Sequence, residues 1–187
     1  MTQSQYVLAD FNTVPPVDWT YWVVEGKLLA GPYPGSGDSE QHRNKIQALL
    51  DAGVTSFVTL MEETESNWSG KTFVSYDRVA RELTDVSLDF QRFAIPDGGI
   101  PEPRLMASVL DAMDEAILRG RVVYVHCWGG VGRTGTVIGC WMLRHGLATP
   151  DDVLTKLAQL RNQDKMRGNR ESPETDEQRM FVQEWTS

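Results

Sequence analysis

Two spacings of apolar residues alternate along this chain: short β-branched or aromatic runs, and longer stretches with apolar positions three or four apart. Trp19 to Val24 and Lys27 to Ala30 predict a strand pair around Glu25-Gly26, followed by a turn from Pro32 to Gly37 and a helix from about Ser39 to Ala52. Val54 to Met61 predicts another strand, Glu62 to Ser69 an acidic polar loop, Tyr76 to Leu83 a helix, and Leu88 to Ala94 the next strand. Met106, Val109, Leu110, Met113 and Ile117 recur at helical spacing, so a helix opening near Pro103 covers the sheet with these side chains as core. Arg121 to Val125 then reads as a short buried strand and Thr136 to Leu143, apolar on nearly all sides, as a buried helix. Gly146 and Pro150 break the chain before a helical face of Val153, Leu154, Leu157 and Leu160. A last helix opens in Ser172 to Phe181, with Ser172 or Thr175 as cap, Pro173 suited to a first helical position, and acidic residues at the positive end of the dipole. Strands alternating with helices predict an α/β fold with a buried, mostly parallel centre and a ligand loop at a strand's carboxyl end.

Length and composition fit one domain across residues 1–187: 41% of the chain is hydrophobic and 24% charged, ordinary for a soluble globular protein. The apolar runs are too short or too interrupted for a membrane span, and Met-Thr-Gln-Ser-Gln lacks the basic start of a secretory signal, so a cytoplasmic location is expected. Two cysteines fit a reducing compartment. A net charge of −8 opposes nucleic acid and anionic membrane surfaces through long-range repulsion, so neither is an expected partner.

The chemistry concentrates in His126-Cys127-Trp128-Gly129-Gly130-Val131-Gly132-Arg133-Thr134-Gly135, a glycine-rich turn between the last predicted strand and the buried helix. At a helix N-terminus the unpaired N–H groups and the dipole favour an anion, and Gly129, Gly130 and Gly132 let the backbone of residues 128–132, Trp128 and Val131 included, fold around a phosphate. The same field, Arg133 and a contact from His126 favour the thiolate of Cys127. Arg133 offers a planar fork of donors to two phosphate oxygens, and Thr134 stands ready to donate a hydrogen bond to the sulfur as it leaves. A nucleotide-binding loop fits poorly, because Cys127 falls where its first glycine belongs and Arg133 where its lysine belongs. Cys127, Cys140, His42, His126 and His145 form no metal-ligand spacing, so no metal or other cofactor is expected. A Cys127–Cys140 disulfide is disfavoured, since Cys140 lies about two helical turns along, roughly 10 Å up the axis.

His126, Cys127, Arg133 and Thr134 match the signature of the cysteine-dependent protein tyrosine phosphatase superfamily, which this chain resembles. The resemblance implies a central sheet with helices on both faces, a cysteinyl-phosphate intermediate, and an aspartic acid on an upstream loop that protonates the leaving oxygen. Asp97, in Ala94-Ile95-Pro96-Asp97-Gly98-Gly99-Ile100-Pro101, answers to that acid; Pro-Asp-Gly is also an ordinary turn. Its spacing from Cys127 resembles the smaller dual-specificity members, and Asp-Gly-Gly-x-Pro is similar to the acid loop of the cyclin-dependent-kinase-associated phosphatase group. Aligning the last helix through Gln178 and Phe181 puts Glu174 where tyrosine-specific members carry a water-positioning glutamine, and helix capping is the simpler role for Gln178 and Glu174.

The expected activity is therefore phosphomonoester hydrolysis, on phosphotyrosine and other phosphorylated side chains of proteins. A small metabolite or phosphoinositide phosphatase, and a phospho-residue-binding module without turnover, stand as alternatives. No lysine lies between Cys127 and Arg133; since superfamily members that act on polyphosphates are similar in carrying basic residues there, the resemblance implies a substrate with a single phosphoryl group. Trp128 is expected to pack beneath the loop, and Tyr33, Trp68 and Tyr76 are residues that either border an aromatic substrate or pack. His145, beside Arg144, is read as a favourable charge at a helix C-terminus.

Overall fold

The computed structural model describes residues 5–67 and 69–186; Trp68 and the first four residues, on which parts of the reading above rest, lie outside them. Five strands form one sheet in the order β1-β2-β5-β3-β4, where β1 is Tyr21–Val24, β2 Leu28–Pro32, β3 Val54–Thr59, β4 Asp89–Arg92 and β5 Val122–Cys127. The β1–β2 pair is antiparallel and the other three pairings are parallel. The mixed, mostly parallel sheet thus agrees with the α/β expectation, and β5, hydrogen-bonded on both sides, carries the glycine-rich turn out of its buried centre.

Six helices follow in chain order: α1 Ser39–Asp51, α2 Asp77–Glu82, α3 Pro103–Leu118, α4 Gly132–Arg144, α5 Val153–Arg161 and α6 Asp176–Gln183. The helix α4 packs against β5 and β2 and is flanked by α3, α5 and α6, while α1 sits on β3 beside α2. Helices therefore cover the sheet from both sides. The apolar stripe predicted for α3 is core: Met106, Val109, Leu110 and Met113 are fully buried. Asp38 caps α1 by accepting from the Gln41 amide at 2.8 Å, and Thr175 rather than Ser172 caps α6.

Element ends shift from their sequence positions where pairing decides them. Strand β2 runs on through Pro32, expected to be turn, because β5 supplies partners as far as Cys127. Strand β3 stops at Thr59, although the Leu60 amide still donates to His126 O at 2.9 Å. The edge strand β1 is closed off by a side chain: the Gln163 amide accepts from Trp22 N at 2.9 Å and donates to Trp22 O at 3.0 Å. His145 does more than meet a dipole, since its Nε2 lies 2.8 Å from Asp114 on α3 and its ring packs on Trp141 and Tyr6. Cys127 and Cys140 are both free thiols, and burial pushes that of Cys140 well above its ordinary value, leaving it an inert core residue.

Candidate active site

Residues 128–131 join the end of β5 to the start of α4, and the carbonyls of Cys127, Trp128, Gly130 and Val131 are held from outside. Four donors do this: His126 Nδ1 reaches Cys127 O at 3.1 Å, the Tyr33 amide reaches Trp128 O at 3.0 Å, Arg161 Nη1 reaches Gly130 O at 2.7 Å, and Ser172 Oγ reaches Val131 O at 2.7 Å. In a trans peptide the C=O and the following N–H point opposite ways. Fixing those carbonyls outward therefore turns the N–H groups of Trp128, Gly129, Val131 and Gly132 inward, a nest of donors of the kind that suits an anion, at the N-terminus of α4. Gly130 makes the close return possible: its φ is +69°, and a Cβ there would run into the backbone of Gly31 and Pro32 on β2.

The buried His126 is neutral. Desolvation drives its pKa from 6.5 down to about 3, and the positive charges of Arg92 and Arg133 act in the same direction against the bond to Cys127 O. Since a carbonyl only accepts, Nδ1 carries the proton, and Nε2 accepts from the Tyr76 hydroxyl at 2.6 Å. The expected contact exists, but it is corrected in kind: His126 brings no positive charge to the thiolate and instead fixes the cysteine's carbonyl. Tyr76, with its hydroxyl on that ring and 8% of its surface exposed, is a packing residue and does not line the hollow that holds Cys127.

Thr134 also meets the backbone of Cys127, a contact apart from the one expected of its hydroxyl proton. Its hydroxyl oxygen accepts from the Cys127 backbone N–H at 2.9 Å, which pins the base of the loop and does not use the hydroxyl's own proton.

Arg133 is 1% exposed, and its fork is already occupied. Glu65 takes one N–H from each terminal nitrogen, at 2.7 Å from Nη1 and 2.8 Å from Nη2; Ile95 O takes the second Nη1–H at 3.0 Å, and Asp97 Oδ1 takes the second Nη2–H at 2.8 Å. Nε, buried in the same place, has no hydrogen-bond partner among the described residues. Burial works against the charged form, but the Glu65 hydrogen bonds and the charges of Cys127, Glu65 and Asp97 more than offset it and hold the guanidinium cationic well above its ordinary value. The one N–H left for an incoming anion is thus that of Nε, and the planar fork expected from the sequence opens along the Nε/Nη2 edge only when Asp97 leaves Nη2. Glu65 itself was missed. It lies in the acidic loop Glu62 to Ser69 beside two other glutamates, and nothing in a charge run marks the one that turns inward.

The loop bearing Asp97 is drawn over the nest by Arg133 through Ile95 and Asp97, and from the other side by α6. There Gln178, fully buried, donates from Nε2 to Gly99 O at 2.9 Å and completes a capping box with Thr175. The capping role expected for Gln178 is therefore present, with an added tie to the Asp97 loop. The Glu174 side chain pairs with Arg170. Arg161, fully buried on α5, is a second residue the sequence did not single out; it looks like any basic residue in a helix's last turn until the fold brings Gly130 O to it.

Asp97, Cys127, Trp128, Gly129, Val131, Gly132, Arg133 and Glu174 line one hollow of about 490 Å³, with Arg167 and Arg170 at its rim. Sequence residues separated by up to 77 positions thus face a single space. Trp128 does not pack beneath the loop: its ring meets Phe73 edge-on at 5.7 Å and lines both this hollow and its neighbour.

Residues 18–182 match the family described as Swiss Army Knife protein, DSP-PTPase phosphatase domain. The chain is 28% identical over 131 residues to the dual specificity protein phosphatase CDC14B of Mus musculus, covering 66% of this chain and 24% of that protein. It is 29% identical over 125 residues to the tyrosine-protein phosphatase cdc-14 of Caenorhabditis elegans, covering 66% of this chain and 16% of the relative. The chain thus spans a quarter or less of the length of these two relatives. Its fold is similar to a crystal structure of kinase associated phosphatase with serine substituted for the catalytic-site cysteine: the TM-score is 0.68 at 16% identity, over 97% of this chain and 93% of that one.

Proposed function

Since the chain belongs to the family of DSP-PTPase phosphatase domains, we propose that it hydrolyses phosphomonoesters through a cysteinyl-phosphate intermediate, with phosphorylated protein side chains as substrates. The observation that carries this is the buried, unpartnered Nε–H of Arg133 beside Cys127 in a hollow whose loop amides turn inward. An orphaned donor on a buried cation is costly unless a ligand meets it, and a phosphoryl oxygen is the natural acceptor.

The chemistry divides into two steps. The Cys127 thiolate attacks phosphorus and forms the S–P bond as the P–O bond to the alcohol or phenol breaks, and Asp97, protonated, gives its proton to the departing oxygen. Water then attacks the phosphocysteine, Asp97 takes its proton, inorganic phosphate leaves, and Cys127 is again a thiolate. In both steps the equatorial oxygens lie against the loop amides and the Nε/Nη2 edge of Arg133, which supply charge stabilisation already fixed in place. A phosphate oxygen displaces Asp97 Oδ1 from Nη2, and that exchange releases the carboxyl for its acid role.

The names of the relatives support protein substrates, and the acid loop supports turnover over phosphate capture alone. Replacing Cys127 with serine is expected to lower kcat on an aryl phosphate and on a phosphotyrosine peptide more than about a hundredfold, as for an essential nucleophile. Retention of more than about a hundredth of the activity overturns the mechanism. Tight phosphopeptide binding with no phosphate release by the native protein would establish a binding module instead.

A further inference from the structure

Beside the catalytic hollow lies a second one of about 560 Å³, with Trp128 and Arg167 in the wall between them. The protein's net charge is −8, yet among the described residues no carboxylate lines this second hollow, while Lys45, Lys71 and Arg167 do. These cations come from three separate parts of the fold: Lys45 from α1, Lys71 from the loop after the Glu65 segment, and Arg167 from the turn after α5. None of them enters an ion pair among the described residues.

Among the described residues, their charged ends are not held by carboxylates. Lys45 Nζ stands 5.8 Å from the centre of the Trp19 ring. The backbone of Arg167 is held on both sides, its N–H by Asp164 Oδ1 at 2.9 Å and its carbonyl by Arg161 Nη2 at 2.7 Å. Arg161 is the residue that also holds Gly130 O, so the rim cation and the phosphate loop share one buried anchor. Burial, and then the charge of Arg167, hold the Lys45 ammonium below its ordinary value; like charges kept together without a counterion are relieved by an anion between them.

We propose that this hollow is a second anion subsite, and that the preferred substrate is a phosphorylated peptide carrying an acidic or phosphorylated side chain next to the residue that loses its phosphate. The inference rests on the phosphatase reading above and names the substrate class of the same site. Trp19, Phe73 and Trp128 line the hollow along with the cations, a mixed wall that suits a peptide segment better than a lone ion. An anionic lipid surface is opposed by the long-range repulsion of a protein of charge −8. The cations absent between Cys127 and Arg133 stand beside the loop instead, at Lys45, Lys71 and Arg167.

The test compares two phosphotyrosine peptides of equal length, one with glutamates on both flanks and one with serines there. The native protein is expected to favour the acidic peptide about tenfold in kcat/KM, the scale of two or three half-exposed ion pairs, and to lose much of that preference in high salt. In Lys45→Ala/Lys71→Ala the ratio falls toward one. Lys71→Glu, at an exposed position, keeps the fold and lowers the ratio further. Equal turnover of both peptides by the native protein, or a preference that both variants keep, overturns the subsite and leaves the phosphatase standing. Failure to hydrolyse either peptide or an aryl phosphate sinks the phosphatase reading itself. Faster turnover of a phosphoinositide in anionic vesicles than of the acidic peptide, lost in Lys71→Glu, overturns the peptide assignment.

Discussion

Asp97 Oδ1 lies 2.8 Å from Arg133 Nη2 and occupies the one Nη2–H that Glu65 does not take. The Asp97 side chain is 56% exposed where that of Arg133 is 1% exposed, so the contact joins a solvent-facing carboxylate to a buried cation. It is weakened by solvent on one side and gives way to a better anion. The Asp97 loop is thus held over the nest by the donor that the proposed mechanism gives to phosphate, and in that mechanism substrate entry and release of the acid are one exchange.

Asp97→Ala removes the proton donor but also clears Nη2. A fall in kcat of about 10²–10⁴-fold is expected, with loss of the basic limb of the pH-rate profile. Inorganic phosphate should bind the variant at least as tightly as the native protein. Weaker phosphate binding, measured by calorimetry, would show that Asp97 does not compete for Arg133.

Glu65→Ala leaves a guanidinium that is 1% exposed without its two-toothed partner. Removing one member of a buried pair costs about 3–5 kcal/mol, so urea unfolding should register a large loss of stability, and kcat/KM should fall with it because nothing then orients the Nε/Nη2 edge. A midpoint unchanged within error would mean that the pair adds nothing to the fold.

Acidification tests His126. Its folded pKa of about 3 lies below the unfolded value of 6.5, so between these pH values the unfolded chain binds a proton that the folded chain refuses. Stability from this residue is full above pH 6.5 and falls as pH drops toward 3. His126→Asn, whose amide can still donate to Cys127 O, is expected to unfold with about one proton less taken up across that window. The same pH slope in both proteins would assign acid sensitivity elsewhere.

Gly130→Ala places a Cβ against Gly31 and Pro32 at a positive φ. The loop must shift, and a displacement of about 1 Å costs on the order of a hundredfold in rate. Activity within a factor of two of the native protein would show that the nest tolerates a different path.

The sequence by itself determined the linear chemistry. Cys127, Arg133 and Thr134 are fixed within eight residues by a turn that must join a buried strand to a buried helix, and Asp97 sits in a short loop bounded by prolines; local periodicity and turn residues suffice for both. The tertiary structure decided which distant groups complete them. Glu65, Arg161 and Ser172 belong to segments with no signal beyond charge or capping. They reach the site because β5 lies between β2 and β3 and because α5 and α6 pack against α4. Even the state of His126 was set this way, since an imidazole takes its charge from burial and from the hydroxyl and carbonyl that meet it. Those neighbours are far apart in sequence, and only the packing of the folded chain brings them together.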